Sequence, residues 1–137
     1  ARLVIISPGQ WRDDITRIAH VMSRELSTLG DPMADFSYLL IAWAIPASLR
    51  NGLAGADLEA LGVPSVEEMV ELYAAQTGAR PANLPWLFAY NLFRLAAILQ
   101  GVAKRVEAGT ASSAQAREAA KGARPLAQLA WRYAQQA

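Results

Sequence analysis

A single histidine, His20, and the absence of cysteine set narrow limits on the chemistry that these side chains can perform. A zinc site would need carboxylates for nearly every ligand beyond that one imidazole, so His20 is read as structural or exposed. Disulfides and thiolate metal sites are excluded. Asp13 and Asp14 are adjacent, and on a helix their side chains diverge by about a quarter-turn or more, so both reach one metal only from a loop. Asp31 and Asp35 stand four apart, a spacing that suits paired carboxylates on one helix face. It equally suits an N-cap, Asp31, followed by a first-turn charge, Asp35, that favours the helix dipole. Arg94 lies between Phe93 and Leu95 in a strongly apolar stretch, where it either extends its head outward or pairs with a buried carboxylate, Asp35 or Glu25. One histidine without a nucleophile elbow makes no Ser-His-Asp arrangement, and neither standard glycine-rich phosphate loop is present. Local motifs alone assemble no catalytic site.

The elements that must position these residues are mainly helical. Leu3-Val4-Ile5-Ile6, closed by Ser7-Pro8-Gly9, reads as one short strand entering a turn. Over 13–29 the apolar residues Ile15, Ile18, Ala19, Met22, Leu26 and Leu29 follow the helical period, although a strand over 17–23 is the alternative. Asp31-Pro32 starts a helix that runs to about Ala44 and is stopped by Pro46. A short helical turn is expected around Asp57 to Leu61. Ser65 and Glu68 form a capping box ahead of a helix that buries Met69, Leu72 and Tyr73 and ends at Gly78. Asn83-Leu84-Pro85 opens the longest helix, with Phe88, Leu92, Leu95, Leu99, Val102 and Val106 on one stripe and Gly109 as its stop. Ser112 or Ser113 caps a last helical stretch, which Gly122 and Pro125 divide into two helices or kink before Leu126, Leu129, Ala130 and Tyr133 resume the period. Trp43, Trp86 and Trp131 fall on apolar stripes and are expected in the core.

Composition sets the remaining bounds. A chain of 137 residues is the size of one domain. Its 53% apolar and 18% charged residues, against roughly 45–50% and 25% in ordinary domains, are an apolar excess. Either the core is rich in alanine and leucine, or some apolar surface is covered by another chain or domain. No uninterrupted apolar run approaches the ~18 residues that span a bilayer, so the chain is read as soluble, with no membrane partner, and the absence of cysteine fits a cytoplasmic location. A net charge of +1 with no basic run argues against nucleic acid.

From Glu25-Leu26-Ser27-Thr28-Leu29-Gly30-Asp31-Pro32-Met33-Ala34-Asp35-Phe36 onward, the sequence resembles the aminoglycoside-phosphotransferase-like kinase family. The branch it resembles is found alone or fused to acyl-CoA dehydrogenases. The likeness continues through Tyr90-Asn91-Leu92-Phe93-Arg94-Leu95-Ala96-Ala97-Ile98-Leu99-Gln100-Gly101 and closes at Arg124-Pro125-Leu126-Ala127, covering about residues 25–136. It implies a mainly α fold, the helical C-lobe of a kinase-like phosphotransferase with at most a short N-terminal strand or hairpin. Residues 1–24 then form a divergent segment and 25–137 the lobe. The family uses ATP and Mg²⁺ and carries a metal-binding Asp in an Asp-Trp-Glu triplet, where this chain has Ser23-Arg24-Glu25. A serine hydroxyl does not replace a carboxylate on Mg²⁺. Pro8-Gly9-Gln10-Trp11-Arg12-Asp13-Asp14-Ile15 faintly echoes the family's catalytic loop, with Gln10 in place of its base and Ile15 in place of its asparagine. Glu25, Asp31 and Asp35 alone match positions near the family site, Asp35 as a structural brace.

The expectation is therefore a C-lobe whose family transfers phosphate from ATP to a small-molecule hydroxyl, inactive as this chain alone, with no catalytic or metal residues of its own and no cofactor. A missing N-lobe or a second copy is the expected partner, with a small-molecule acceptor as a further one. The alternative is a helical module that self-associates through its exposed apolar surface. A pocket retained from the acceptor side is compatible with both.

Overall fold

Pro32 suits the first turn of a helix because its fixed φ is already helical and its absent N–H has no partner to lose there. The helix it begins, α1, spans Pro32–Ala44 as the sequence predicts and turns Phe36, Leu40 and Ile41 inward. The computed structural model describes residues 31–49, 52–111 and 113–137. The strand over 3–6, the helix-or-strand alternative over 13–29 and the boundary between residues 24 and 25 lie outside them.

Beyond α1, Pro46 has no N–H to continue the ladder, and the chain folds back on the helix it has left. Ala54 N donates to Ile45 O (2.9 Å), Ala47 N to Ala54 O (3.0 Å) and Leu53 N to Ala42 O (2.8 Å), making an isolated parallel bridge between Pro46 and Ala54. Gly52 permits this. A Cβ there would overlap Pro46 O and stand 2.5 Å from Ile45 O, so no larger residue fits without moving backbone. Asp57 Oδ1 then accepts from Ala60 N (3.1 Å) in the expected short turn.

The second helix, α2 (Val66–Thr77), has the full capping box. Glu68 N donates to Ser65 Oγ (3.1 Å) and Ser65 N to Glu68 Oε2 (2.7 Å), while Gly78 closes the other end at φ 72°. Its inward side is Val66, Met69, Val70 and Tyr73. Leu72, expected there, is 55% exposed, because the i, i+3, i+4, i+7 stripe that starts at Val66 leaves it on the flank. The third helix, α3 (Leu84–Glu107), is capped by Asn83 Oδ1, which accepts from Trp86 N (3.0 Å), and Gly109 at φ 72° follows its end. Ser113 Oγ accepts from Ala116 N (3.0 Å) to start the short α4 (Ala114–Ala120). Two helices, not a kinked one, occupy this region: α5 (Ala123–Ala134) begins at once, with Pro125 in its first turn.

The core lies among α1, α3 and α5, with α2 against its edge. Leu40 and Leu92 are completely buried, each worth roughly 1.5–3 kcal/mol by area. Tyr73 stacks on Phe36 (4.1 Å between centroids) and Tyr133 meets Phe88 edge-on (5.2 Å). Trp43 is half-buried and ties the end of α1 to the start of α2 by donating from Nε1 to Pro64 O (2.8 Å). Trp86 and Trp131 are corrections: they are 54% and 66% exposed. Phe88, Leu92, Leu126, Leu129 and Ala130 take the inward positions of α3 and α5 and leave these two indoles on the outer sides. By length and composition alone α3 is long and apolar enough to cross a bilayer, which a search for unbroken runs misses because Asn91, Arg94 and Gln100 interrupt it. Here it is the central helix of the core.

Gly52→Ala is expected to destabilise the fold by about 2 kcal/mol or more, since the added methyl meets backbone rather than a movable side chain. Urea denaturation reads this directly, and a loss under about 0.5 kcal/mol would contradict the account of the loop.

Candidate functional site

A serine and an asparagine occupy positions on the apolar faces of α1 and α3 where hydrocarbon would be expected. Both are completely buried. Asn91 Nδ2 donates to Ser37 Oγ (2.9 Å) and to Ala34 O (3.0 Å), and Ser37 Oγ donates to Met33 O (2.6 Å). Asn91 Oδ1 is buried without a partner among the described residues. Leaving an amide oxygen unsatisfied costs on the order of 1–3 kcal/mol, comparable with what the bonds return, so the brace does more to fix register than to add stability.

That register positions a cleft. Counting by helical turns from the brace, Ser37 leads to Ile41 on α1 and to Ile45 just past its end, and Asn91 leads to Leu95 and Leu99 on α3. These four residues line an open cleft of about 510 Å³. Ile45 is about 12 Å along the helix from Ser37. The walls are completed by Leu49 of the returned loop, Leu126 of α5 and the inner side of α4. The lining is predominantly apolar, with Tyr38, Ser48, Gln115 and the Glu118–Lys121 ion pair (2.6 Å, exposed) supplying polar groups. Apolar walls with a few polar groups are the usual makeup of a small-molecule site. Beside it, the Arg94 guanidinium lies 5.3 Å from the centre of the Tyr38 ring. Arg94 is exposed, as an outward-reaching head requires, and forms no ion pair with Asp35; the alternative partner, Glu25, lies outside the described residues.

The sequence-predicted residues are elsewhere. Asp31 directly precedes α1 and Asp35 is in its first turn; both are exposed, at the end of the helix away from the cleft. Glu25, His20, Asp13, Asp14 and Ser23 lie outside the described residues. Among the described residues, no three His, Asp or Glu side chains form a group able to hold a metal ion. Two pKa effects belong to the scaffold. Burial raises the Tyr133 hydroxyl above its ordinary value, and the exposed pair Glu71–Arg80 lowers the carboxylate and raises the guanidinium, chiefly through their hydrogen bonds. The brace and cleft were missed by the sequence reading, yet a signal existed: Asn91 and Ser37 each interrupt a buried stripe.

The chain is homologous to one segment of larger acyl-CoA dehydrogenase family proteins. It is 44% identical over 117 residues to "Acyl-CoA dehydrogenase family member 10" of Mus musculus, covering 83% of this chain and 11% of that protein. It is 36% identical over 116 residues to "Acyl-CoA dehydrogenase family member 11" of Rattus norvegicus (82% of this chain, 15% of that protein). The family member 11 of Gallus gallus is 35% identical over 117 residues, with the same two shares, 82% and 15%. The chain therefore spans only 11–15% of the length of these relatives. No family model matches the chain, and no solved structure matches it significantly.

Asn91→Ala is expected to cost about 1–3 kcal/mol in urea denaturation, and Ser37→Ala less, because Ala34 O still accepts from the amide. The double variant should lose less than the sum, since the two share one bond. Strict additivity would show that the brace is not a coupled unit.

Proposed function

We propose that this chain is the helical, acceptor-side part of a kinase-like small-molecule phosphotransferase, and that its cleft receives the apolar body of a hydroxyl-bearing acceptor. One coincidence carries the reading. The sequence resembles the C-lobe of a kinase branch that occurs alone or fused to acyl-CoA dehydrogenases, and the relatives matched over 82–83% of the chain are by name acyl-CoA dehydrogenase family members. The segments that bear the resemblance also supply the core: Phe36 on α1, Leu92 and Ala96 on α3, and Leu126 on α5 pack in one cluster. Because of the relatives' names, a hydroxylated acyl compound is the acceptor class to test first, and the mainly apolar cleft suits a hydrocarbon body.

The work assigned to these helices is holding and orienting an acceptor, which is a large part of what phosphoryl transfer asks of a protein. In the family, ATP and Mg²⁺ supply the phosphoryl group and neutralise its charge. Among the described residues no three His, Asp or Glu side chains gather to hold a metal ion, and no step through nucleotide or metal is assigned to them. Acting by itself, the chain binds acceptor without transferring phosphate.

A second reading, self-association, has one observation in its favour. Trp86, Tyr90 and Phe93 follow one another at helical spacing on α3 and are 54%, 44% and 66% exposed, with the first two rings stacked at 5.6 Å.

With ATP, Mg²⁺ and a panel of hydroxylated acyl compounds, the 137-residue chain should release ADP at the buffer rate. Release above that rate, abolished by Asp31→Asn or Asp35→Asn, would contradict the proposal. For the second reading, sedimentation equilibrium should detect a concentration-dependent dimer that Phe93→Glu weakens; a monomer at every concentration removes that reading.

A further inference from the structure

At the elbow between α4 and α5 the backbone comes unusually close to α3. Gly122 has φ −73° and ψ −19°, a right-handed conformation that any residue adopts, so no backbone demand explains a glycine there. Space does. A Cβ on Gly122 would stand 3.0 Å from Leu99 Cδ1 and 3.3 Å from Ala119 O. Gly122 and Leu99 are both cleft-lining residues, and Leu99 belongs to the same α3 face as Leu95. The tip of Leu99 therefore lies back into room that only the missing side chain of Gly122 leaves.

We infer that the Leu99–Gly122 contact is the size gauge of the cleft: it sets the longest hydrocarbon body that a hydroxyl-bearing ligand can bury there. The inference rests on the acceptor-cleft reading above. The nearer of the two atoms is the end of a flexible side chain, so a methyl added at Gly122 is relieved chiefly by rotating Leu99, with a shift of a few tenths of an ångström at the Ala119 carbonyl. Leu99 borders the cleft, so that rotation shortens the available length. Truncating Leu99 to alanine removes about three carbon atoms of wall and lengthens it. Each methylene transferred from water into an apolar site improves affinity about fourfold. A ligand series should therefore gain affinity steadily until its tail reaches the gauge, and then stop gaining.

The test uses the full chain and a series of straight-chain primary alcohols, with dissociation constants measured by calorimetry or ligand-observed NMR. In the unmodified chain, affinity should rise about fourfold per methylene to a break point and then level. In Leu99→Ala the break should move about two to three carbons longer, and in Gly122→Ala it should move shorter, with circular dichroism confirming that each variant is folded. Should Leu99→Ala fail to fold, the shortening in Gly122→Ala decides alone. A break at the same length in every folded variant overturns the gauge while leaving the cleft as a binding site. No saturable binding of any alcohol by the unmodified chain overturns both.

Discussion

The interaction on which the rest of this structure depends is the hydrogen bond from Asn91 to Ser37, made in the completely buried contact between α1 and α3. Apolar faces alone slide past one another at small cost, because one leucine contact substitutes for another. A buried amide has no such freedom. Shifting either helix by one residue would leave the Nδ2 donor and the serine hydroxyl without partners in a dry interface, at a cost of order 1–3 kcal/mol each. The brace thus gives up some net stability, visible in Asn91 Oδ1, which has no partner among the described residues, in exchange for a defined register.

From that register comes the cleft. Ile41 and Ile45 on one side and Leu95 and Leu99 on the other are successive turns beyond Ser37 and Asn91, and all four border the open space. The returned loop, held at Gly52 by close backbone packing, brings Leu49 to one wall, and the α4–α5 elbow, held close by Gly122, brings Leu126 to another. Glycine has a different task at these two places from the one it has at Gly78 and Gly109. There it supplies a left-handed turn, whereas here it supplies room.

Much of the fold was legible from the sequence because its signals are local. The Ser65–Glu68 box, the Asn83 cap, the Pro46 stop and the Gly78 and Gly109 terminators each act within a few residues, and each helix end falls where they put it. What failed is tertiary. Leu72, Trp86 and Trp131 look like core residues by type, but which flank of a helix is buried depends on where the neighbouring helices lie. The cleft was illegible for the same reason, since its lining is scattered from Tyr38 to Leu126 and is chemically plain. Asp31 and Asp35, which both their spacing and the family likeness single out, stand at the exposed start of α1, while the cleft lies toward its other end.

The central claim is that this cleft, and not the exposed aromatic face of α3, receives a hydroxyl-bearing acyl molecule. Methyl-resolved NMR during titration with a hydroxylated medium-length acyl compound tests it most directly. The expected result is a saturable shift of the Ile41, Ile45, Leu95, Leu99 and Leu126 methyl signals, with the indole signals of Trp86 and Trp131 unmoved. Shifts confined to the aromatic face, or none that saturate, would contradict it.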